Sequence, residues 1–369
     1  MLKGMIDPLL QRTPLYDFHV RHGARIVPFS GWEMPVQYST IIEEHFAVRQ
    51  QAGLFDVSHM GEARVIGPDV VRFLDYVMTN TYSPLKVGQA KYTLMCQPDG
   101  GCVDDVIVYR MGAEEFFICL NAGNAAKDIE WLREQAKGFA VTVADECKLW
   151  AQLAIQGPKA EGILAKLTAT PLGEIKRFCF AQGTVAGVDG CIISRTGYTG
   201  SPGFEVYIPA AGAETVAEAM LAAGKDEGLK LAGLGARDSL RLEACYPLYG
   251  HEISEVISPL QAGLDWVVKF GKTEQFLGQP ALNEQRAGGL PSKIIFFKLE
   301  DRRIARTGAT VFAGDSAVGE VRSGTFSPCL SQPIGSALVR IPEAEQPNLT
   351  VDIRGTRIPL MVVSEPFFK

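Results

Sequence analysis

Histidine is scarce, and its spacing does not suit a metal: positions 19, 22, 45, 59 and 251 form no His-x-x-x-His pair. The eight cysteines stand at 96, 102, 119, 147, 179, 191, 245 and 329. No close pair has a matching pair or histidines downstream, which excludes the zinc-site templates. Most are flanked by apolar residues, as in Phe178-Cys179-Phe180 and Ile118-Cys119-Leu120. They read as reduced, buried thiols in a reducing compartment. The chain has no Gly-x-Ser-x-Gly elbow, which argues against the α/β-hydrolases. Basic residues are not in excess: 36 Lys and Arg stand against 42 Asp and Glu, a net charge of −6, so nothing favours a nucleic acid or another polyanion. No apolar run approaches a membrane span, and residues 1–12 carry no secretory core or small-residue cleavage site. The expected location is the cytoplasm, or the mitochondrial matrix for a relative with its transit peptide removed.

What is present is a globular composition, 47% hydrophobic and 21% charged, over 369 residues, enough for two or three domains. After Pro68, residues Val70, Val71, Leu74, Val77 and Met78 recur at helical spacing. Further helices are expected at 125–137 behind Asn124, after Pro158, at 213–223 and from about 236 to 245. Strands are expected at 102–111, 115–120, 191–196 and 204–208, and the chain turns β-rich from Ile294 onward. The run Arg286-Ala-Gly-Gly-Leu-Pro-Ser292 reads as a connector. Without regular βαβ alternation the class is α+β, and a doubly wound sheet is disfavoured.

Three tracts carry chemistry. Gly233-Leu-Gly-Ala-Arg-Asp238 opens like a dinucleotide fingerprint, but position 238 is Asp and no βαβ unit follows. A turn into a helix bearing Arg237 and Arg241 on one face fits better. In the strand 102–110, alternation places Asp105 with Val103, Ile107 and Tyr109, and Asp104 with Val106, Val108 and Arg110. An Asp pair beside glycines is often only a turn. Continuation of the strand beyond the pair equally supports a functional Asp105, whose apolar surroundings would raise its pKa and demand a hydrogen-bond donor. Residues 194–208 read as strand, glycine-rich turn and strand, with Glu205 and Tyr207 on one face.

Together with Phe29-Ser-Gly-Trp-Glu-Met-Pro35, Gly53-Leu-Phe-Asp-Val-Ser-His-Met-Gly61, Ile155-Gln-Gly-Pro158, Arg241-Leu-Glu243 and residues 259–269, these tracts occur in a specific order. The ordered set resembles the T-protein (aminomethyltransferase) family of the glycine cleavage system from about residue 12 to the C-terminus. The resemblance implies an α+β, three-domain cloverleaf around a central folate channel, with a β-rich C-terminal barrel. Its domains would be 1–63 with 156–255, then 64–155, then 256–369, which turns the connector at 286–292 into a loop. It implies that the chain releases ammonia from the aminomethyl-lipoyl arm of H-protein and transfers the one-carbon unit to tetrahydrofolate, giving 5,10-methylenetetrahydrofolate without a metal. Position by position, Asp105 corresponds to the family's catalytic aspartate. Tyr92, Ile107, Tyr109 and Asn121 correspond to folate-channel residues, Tyr198, Glu205 and Arg237 to residues around the pterin, and Met60 to an apolar contact. A carboxylate such as Glu205 suits adjacent pterin N–H donors, and Arg237 suits its carbonyl. Glu205 and Arg237 can also pair with each other. A monomer is expected.

One departure concerns Phe367 and Phe368, which stand where some members place a tyrosine near folate. Rival readings are a folate-dependent demethylase, disfavoured by Asp105, and the folate domain of a sarcosine- or dimethylglycine-type oxidase, whose flavin domain has no room here. A third is a non-catalytic folate-binding protein of iron–sulfur assembly. Its cysteine tract would fall near Cys245 and Tyr246, but the Lys-Gly that should precede it is absent.

Overall fold

The computed structural model describes residues 10–364 and 366–368; positions 1–9, which underlie most of the reading that no leader is present, lie outside them. The chain folds as two compact units. One comprises Met1–Glu62, Ala122–Ala126 and Asp145–Arg237, and the other Ala63–Asn121, Lys127–Ala144 and Asp238–Lys369. Among the described residues no helix is long and apolar enough to cross a membrane.

The first unit is built on a six-stranded sheet ordered Phe180–Val185, Val188–Ser194, Gly203–Pro209, Trp150–Gln156, Ala52–Asp56 and Leu229–Leu231. Its pairs are antiparallel except the last, which is parallel. The two-residue period of Gly203–Pro209 sends Phe204, Val206 and Ile208 into a core shared with Leu153, Ile155, Ile163, Leu164, Val216 and Met220. Burying each such side chain is worth about 1.5–3 kcal/mol. The opposite face receives Glu205 and Tyr207, which are also buried. The helix Ile41–Gln50 is capped by Thr40, whose hydroxyl accepts from the Glu43 N–H at 3.2 Å.

The helix Leu234–Glu243 starts two residues earlier than the sequence pattern indicates. Its glycines answer to packing: a Cβ on Gly233 would lie 2.4 Å from the carbonyl carbon of Val36, in the strand Trp32–Gln37. The Gly-x-Gly therefore serves a close backbone approach, with the Gly233 N–H donating to Glu44 at 2.9 Å.

The second unit holds two sheets. The five-stranded one is ordered Ala90–Cys96, Cys102–Arg110, Glu115–Leu120, Gly61–Ile66 and Thr142–Asp145. The seven-stranded sheet, all antiparallel, takes its strands from Ser292–Lys298 through Met361–Val363, and Phe297, Val311, Val321, Val339 and Val351 fill its core. The class is α+β with a β-rich C-terminal part. The run 286–292 differs from its reading as a connector and loop. Its first residues end a helix, Gln279–Gly288, which has a proline in its first turn. Gly and Pro punctuation hid a helix whose buried contacts are Gln279 and Leu282.

Candidate active site

In the second unit the strand Cys102–Arg110 begins under constraint. A Cβ on Gly101 would lie 1.8 Å from the Glu255 carbonyl oxygen, and the Cys102 N–H donates to Ser254 O at 2.9 Å. With its start set, alternation leaves Asp105 and Ile107 half-buried while Asp104, Val106 and Val108 are buried. The neighbouring strand Ala90–Cys96 pairs Tyr92 with Ile107 and Leu94 with Asp105. That register brings the Tyr92 hydroxyl to 3.0 Å from Asp105 Oδ2, to which it donates. Tyr92 also stacks on Trp266 at 6.0 Å. Tyr109, expected beside a ligand, is fully buried with its ring edge-on to Phe117.

Asn121, just past the strand Glu115–Leu120, binds both aspartates. Its Nδ2 donates to Asp105 Oδ1 at 2.8 Å and to Asp104 Oδ1 at 2.9 Å, and its backbone N–H donates to Asp104 Oδ2 at 3.1 Å. Alternation assigned Asp104 and Asp105 to opposite faces; one amide nevertheless clamps them together. Burial and then the neighbouring Asp104 charge push the Asp105 carboxyl up to about 7, against the hydrogen bonds from Tyr92 and Asn121. Asp105 thus changes charge near neutrality, as an acid–base group should.

The first unit gathers a separate set. Glu205 is buried on the sheet face opposite the core and accepts from Gln152 Nε2 at 3.2 Å. Burial raises its pKa, while a Thr196 hydrogen bond and the Arg237 charge oppose the rise. Arg237 makes no direct ion pair with Glu205 among the described residues; its guanidinium lies over the Tyr198 ring at 4.7 Å. Met60 is half-buried in the turn after Ala52–Asp56, its N–H donating to Val57 O at 3.0 Å.

Beside Met60, His59 escaped the sequence reading. It is buried edge-on to Phe29, and its Nδ1 has no hydrogen-bond partner. Burial and the Arg237 charge hold it down to about 4, so the imidazole is neutral at physiological pH. Gln152 was missed too. Strand pairing sets Gln152 opposite Tyr207 and so on the face of Glu205, a register that the sequence does not carry.

Arg241, placed on one face with Arg237 by sequence, has a different fate. It is buried, donating to Glu252 at 3.0 Å and to Ser323 at 2.8 Å. Cys245 and Tyr246 close the end of that helix, their N–H groups donating to Leu242 O and Arg241 O. Burial pushes the Cys245 thiol up to about 12, which suits a structural cysteine and not a reactive one. Near the C-terminus the Phe368 N–H donates to Glu243 O at 3.1 Å.

Residues 15–272 match the family model described as the GCVT N-terminal domain, and residues 293–369 the glycine cleavage T-protein C-terminal barrel domain. Aminomethyltransferases of Bacillus cereus (strain B4264) and Bacillus anthracis are each 48% identical over 363 residues, 98% of both chains. The crystal structure of glycine cleavage system aminomethyltransferase T from Bartonella henselae superposes with a TM-score of 0.90 at 34% identity. That match covers 97% of this chain and 98% of the other.

Proposed function

The chain belongs to the glycine cleavage T-protein family, and from that premise we propose how its own residues perform aminomethyl transfer. The substrates are the aminomethyl group on the lipoyl arm of H-protein and tetrahydrofolate, with ammonia released and 5,10-methylenetetrahydrofolate formed. The observation that carries the reading is Asp105: a half-buried carboxylate held by Tyr92 and Asn121 and titrating near neutrality.

Asp105 in its ionised form stabilises the positive charge that develops as the carbon–nitrogen bond to the departing amine breaks. Tyr92 and Asn121 hold that carboxylate in one orientation, so it need not reorganise during the step. Glu205 and Arg237 supply an acceptor and a donor for the pterin edge, a donor set that fits the amino, ring N–H and carbonyl groups of tetrahydrofolate. Tyr198 holds the Arg237 guanidinium from its ring face. Met60 and Ile107 contribute apolar contact, and Tyr109 acts from within the packing.

Three sheets favour a three-part division such as 1–63 with 156–255, 64–155 and 256–369, but the strand Trp150–Gln156 belongs to the six-stranded sheet, so the second segment of the first part begins ahead of 156. The six-stranded sheet draws on 52–56 and 150–231, the five-stranded sheet on 61–145, and the seven-stranded sheet on 292–363. A cytoplasmic monomer without a metal completes the reading. Mixing the purified chain with aminomethyl-loaded H-protein and tetrahydrofolate tests it. Stoichiometric ammonia release that requires all three components is expected, and none would refute the assignment.

A further inference from the structure

Trp266 has no part in the mechanism above, but its indole covers a residue that has. It stands 57% exposed at the centre of a short turn, Asp265–Val267. The Tyr92 ring lies 6.0 Å from it and only 22° from parallel, a stacked arrangement. At the far end of that ring the Tyr92 hydroxyl donates to Asp105 Oδ2 at 3.0 Å.

The turn is anchored independently of the indole. Leu264 and Val267 are buried in one cluster with Leu94, Cys102 and Ile253, against which Tyr92 packs. The Trp266 carbonyl accepts from the Lys269 ammonium at 2.6 Å. The Lys269 N–H donates to Thr79 O at 2.9 Å, and the Thr79 N–H donates at 2.9 Å to Leu94 O, in the strand that carries Tyr92. The backbone thus mounts the indole beside the strand Ala90–Cys96. Strand pairing with Ile107 fixes the Tyr92 backbone but not its two side-chain torsions. The hydroxyl is the atom farthest from those pivots, so a small rotation carries it off the carboxylate. A flat ring laid on Tyr92 restrains that rotation.

We propose that Trp266 is a positioning residue: its indole, stacked on the Tyr92 ring, holds the Tyr92 hydroxyl on Asp105 and so keeps that carboxylate oriented for the reaction. The inference rests on the reading of Asp105 as the catalytic carboxylate.

Burial and then the Asp104 charge raise the Asp105 carboxyl, and the hydrogen bonds from Tyr92 and Asn121 oppose the rise. A misplaced Tyr92 hydroxyl therefore lets it rise further. Other charged and titratable groups lie on the surrounding elements. Lys127, on the helix Ala125–Gln135, donates to Val103 O at 2.5 Å and stands 3.4 Å from Asp128, and the Tyr249 hydroxyl donates to Cys102 O at 3.1 Å. Glu255, Asp265 and Lys269 are exposed. Replacing Trp266 by another uncharged residue alters none of these charges.

Carboxyl-carbon NMR of aspartate-labelled, substrate-free protein, with the Asp105 signal assigned by Asp105→Asn, reads the effect without turnover. Trp266→Leu keeps apolar cover and removes the flat ring. It should raise the Asp105 midpoint by about half a pH unit and move the rising limb of kcat equally far to higher pH. Trp266→Phe restores a flat ring and should bring both back toward wild type. In a Tyr92→Phe background no hydroxyl remains to be held, so Trp266→Leu should add nothing. An unmoved midpoint in folded Trp266→Leu, or an equal shift in the Tyr92→Phe background, would overturn the proposal. Should Trp266→Leu fail to fold, Trp266→Ala carries the same test. A midpoint that moves while the kcat limb stays would instead remove Asp105 as the catalytic carboxylate and leave the hold of Trp266 on Tyr92 standing.

Discussion

At Asp105 the proposed chemistry turns on one carboxylate whose burial and neighbouring Asp104 charge push its pKa up to about 7. If the ionised form acts, kcat should climb as pH rises through that value, a limb that a pH–rate profile would reveal. Asp105→Asn should abolish the limb and lower kcat about a hundredfold or more, the scale of a lost preorganised electrostatic group. Tetrahydrofolate affinity and Tm should change far less; a loss traced to unfolding would remove the assignment. Glu205→Gln addresses the other set. Losing one charge-assisted contact should weaken tetrahydrofolate binding by about 1.5–3 kcal/mol, read by calorimetric titration on the folded variant. Arg237→Lys should also weaken it, because an ammonium lacks the planar fork that both stacks on Tyr198 and meets a carbonyl. Wild-type affinity in the lysine variant would show that charge alone matters.

The strand Cys102–Arg110 shows how an element aims a side chain. Its alternation needs a fixed start, and Gly101 supplies one by admitting the Glu255 carbonyl where a side chain would stand. Gly101→Ala should push the strand start off that contact, lowering stability by about 1–3 kcal/mol and lowering kcat with it. Thermal melting and turnover measured together would check this. A stable, fully active variant would show that the strand start can move without turning Asp105. The sequence pattern placed this strand to within a residue at its end. It also separated Asp104 from Asp105, because period two describes faces within one strand and says nothing about an amide arriving from the next.

For the whole chain, buried acids of opposite tendency shape the pH dependence of stability. Burial would raise Asp56, but hydrogen bonds from His19, Ser58 and Thr13 and the His19 charge outweigh it, and its pKa is lowered. Glu252 is likewise lowered: burial opposes, and Arg241 with Ser323, Ser336 and the Leu248 N–H prevail. Such groups stabilise above their unfolded pKa of about 4, and that contribution is lost as pH falls through the folded value. Glu252→Gln should strip Arg241 of this counter-charge, costing about 3 kcal/mol near neutrality and flattening the acid limb of Tm against pH. Glu62 runs the other way. Burial and the charges of Glu146 and Asp145 raise it well above its usual value, and neither oxygen has a partner. The folded state then binds more protons than the unfolded one above pH of about 4, so stability falls as pH rises. The difference in Tm between Glu62→Gln and wild type should therefore grow in the variant's favour from acid to alkaline pH. A constant difference would contradict a raised Glu62.

Sequence by itself determined the α+β class, the family and the strand that carries Asp105, because these depend on local periodicity and on ordered short motifs. It also placed Glu205 and Tyr207 on one strand face, since alternation requires no partner. Tertiary structure alone decided which of two adjacent arginines on one helix face stays near Tyr198 and which is consumed by Glu252. It alone decided that Asn121 binds two aspartates and that His59 is a neutral buried imidazole. The physical reason is common to all of these. Charge state, desolvation and hydrogen-bond satisfaction depend on residues distant in sequence, and a one-dimensional pattern does not carry that information.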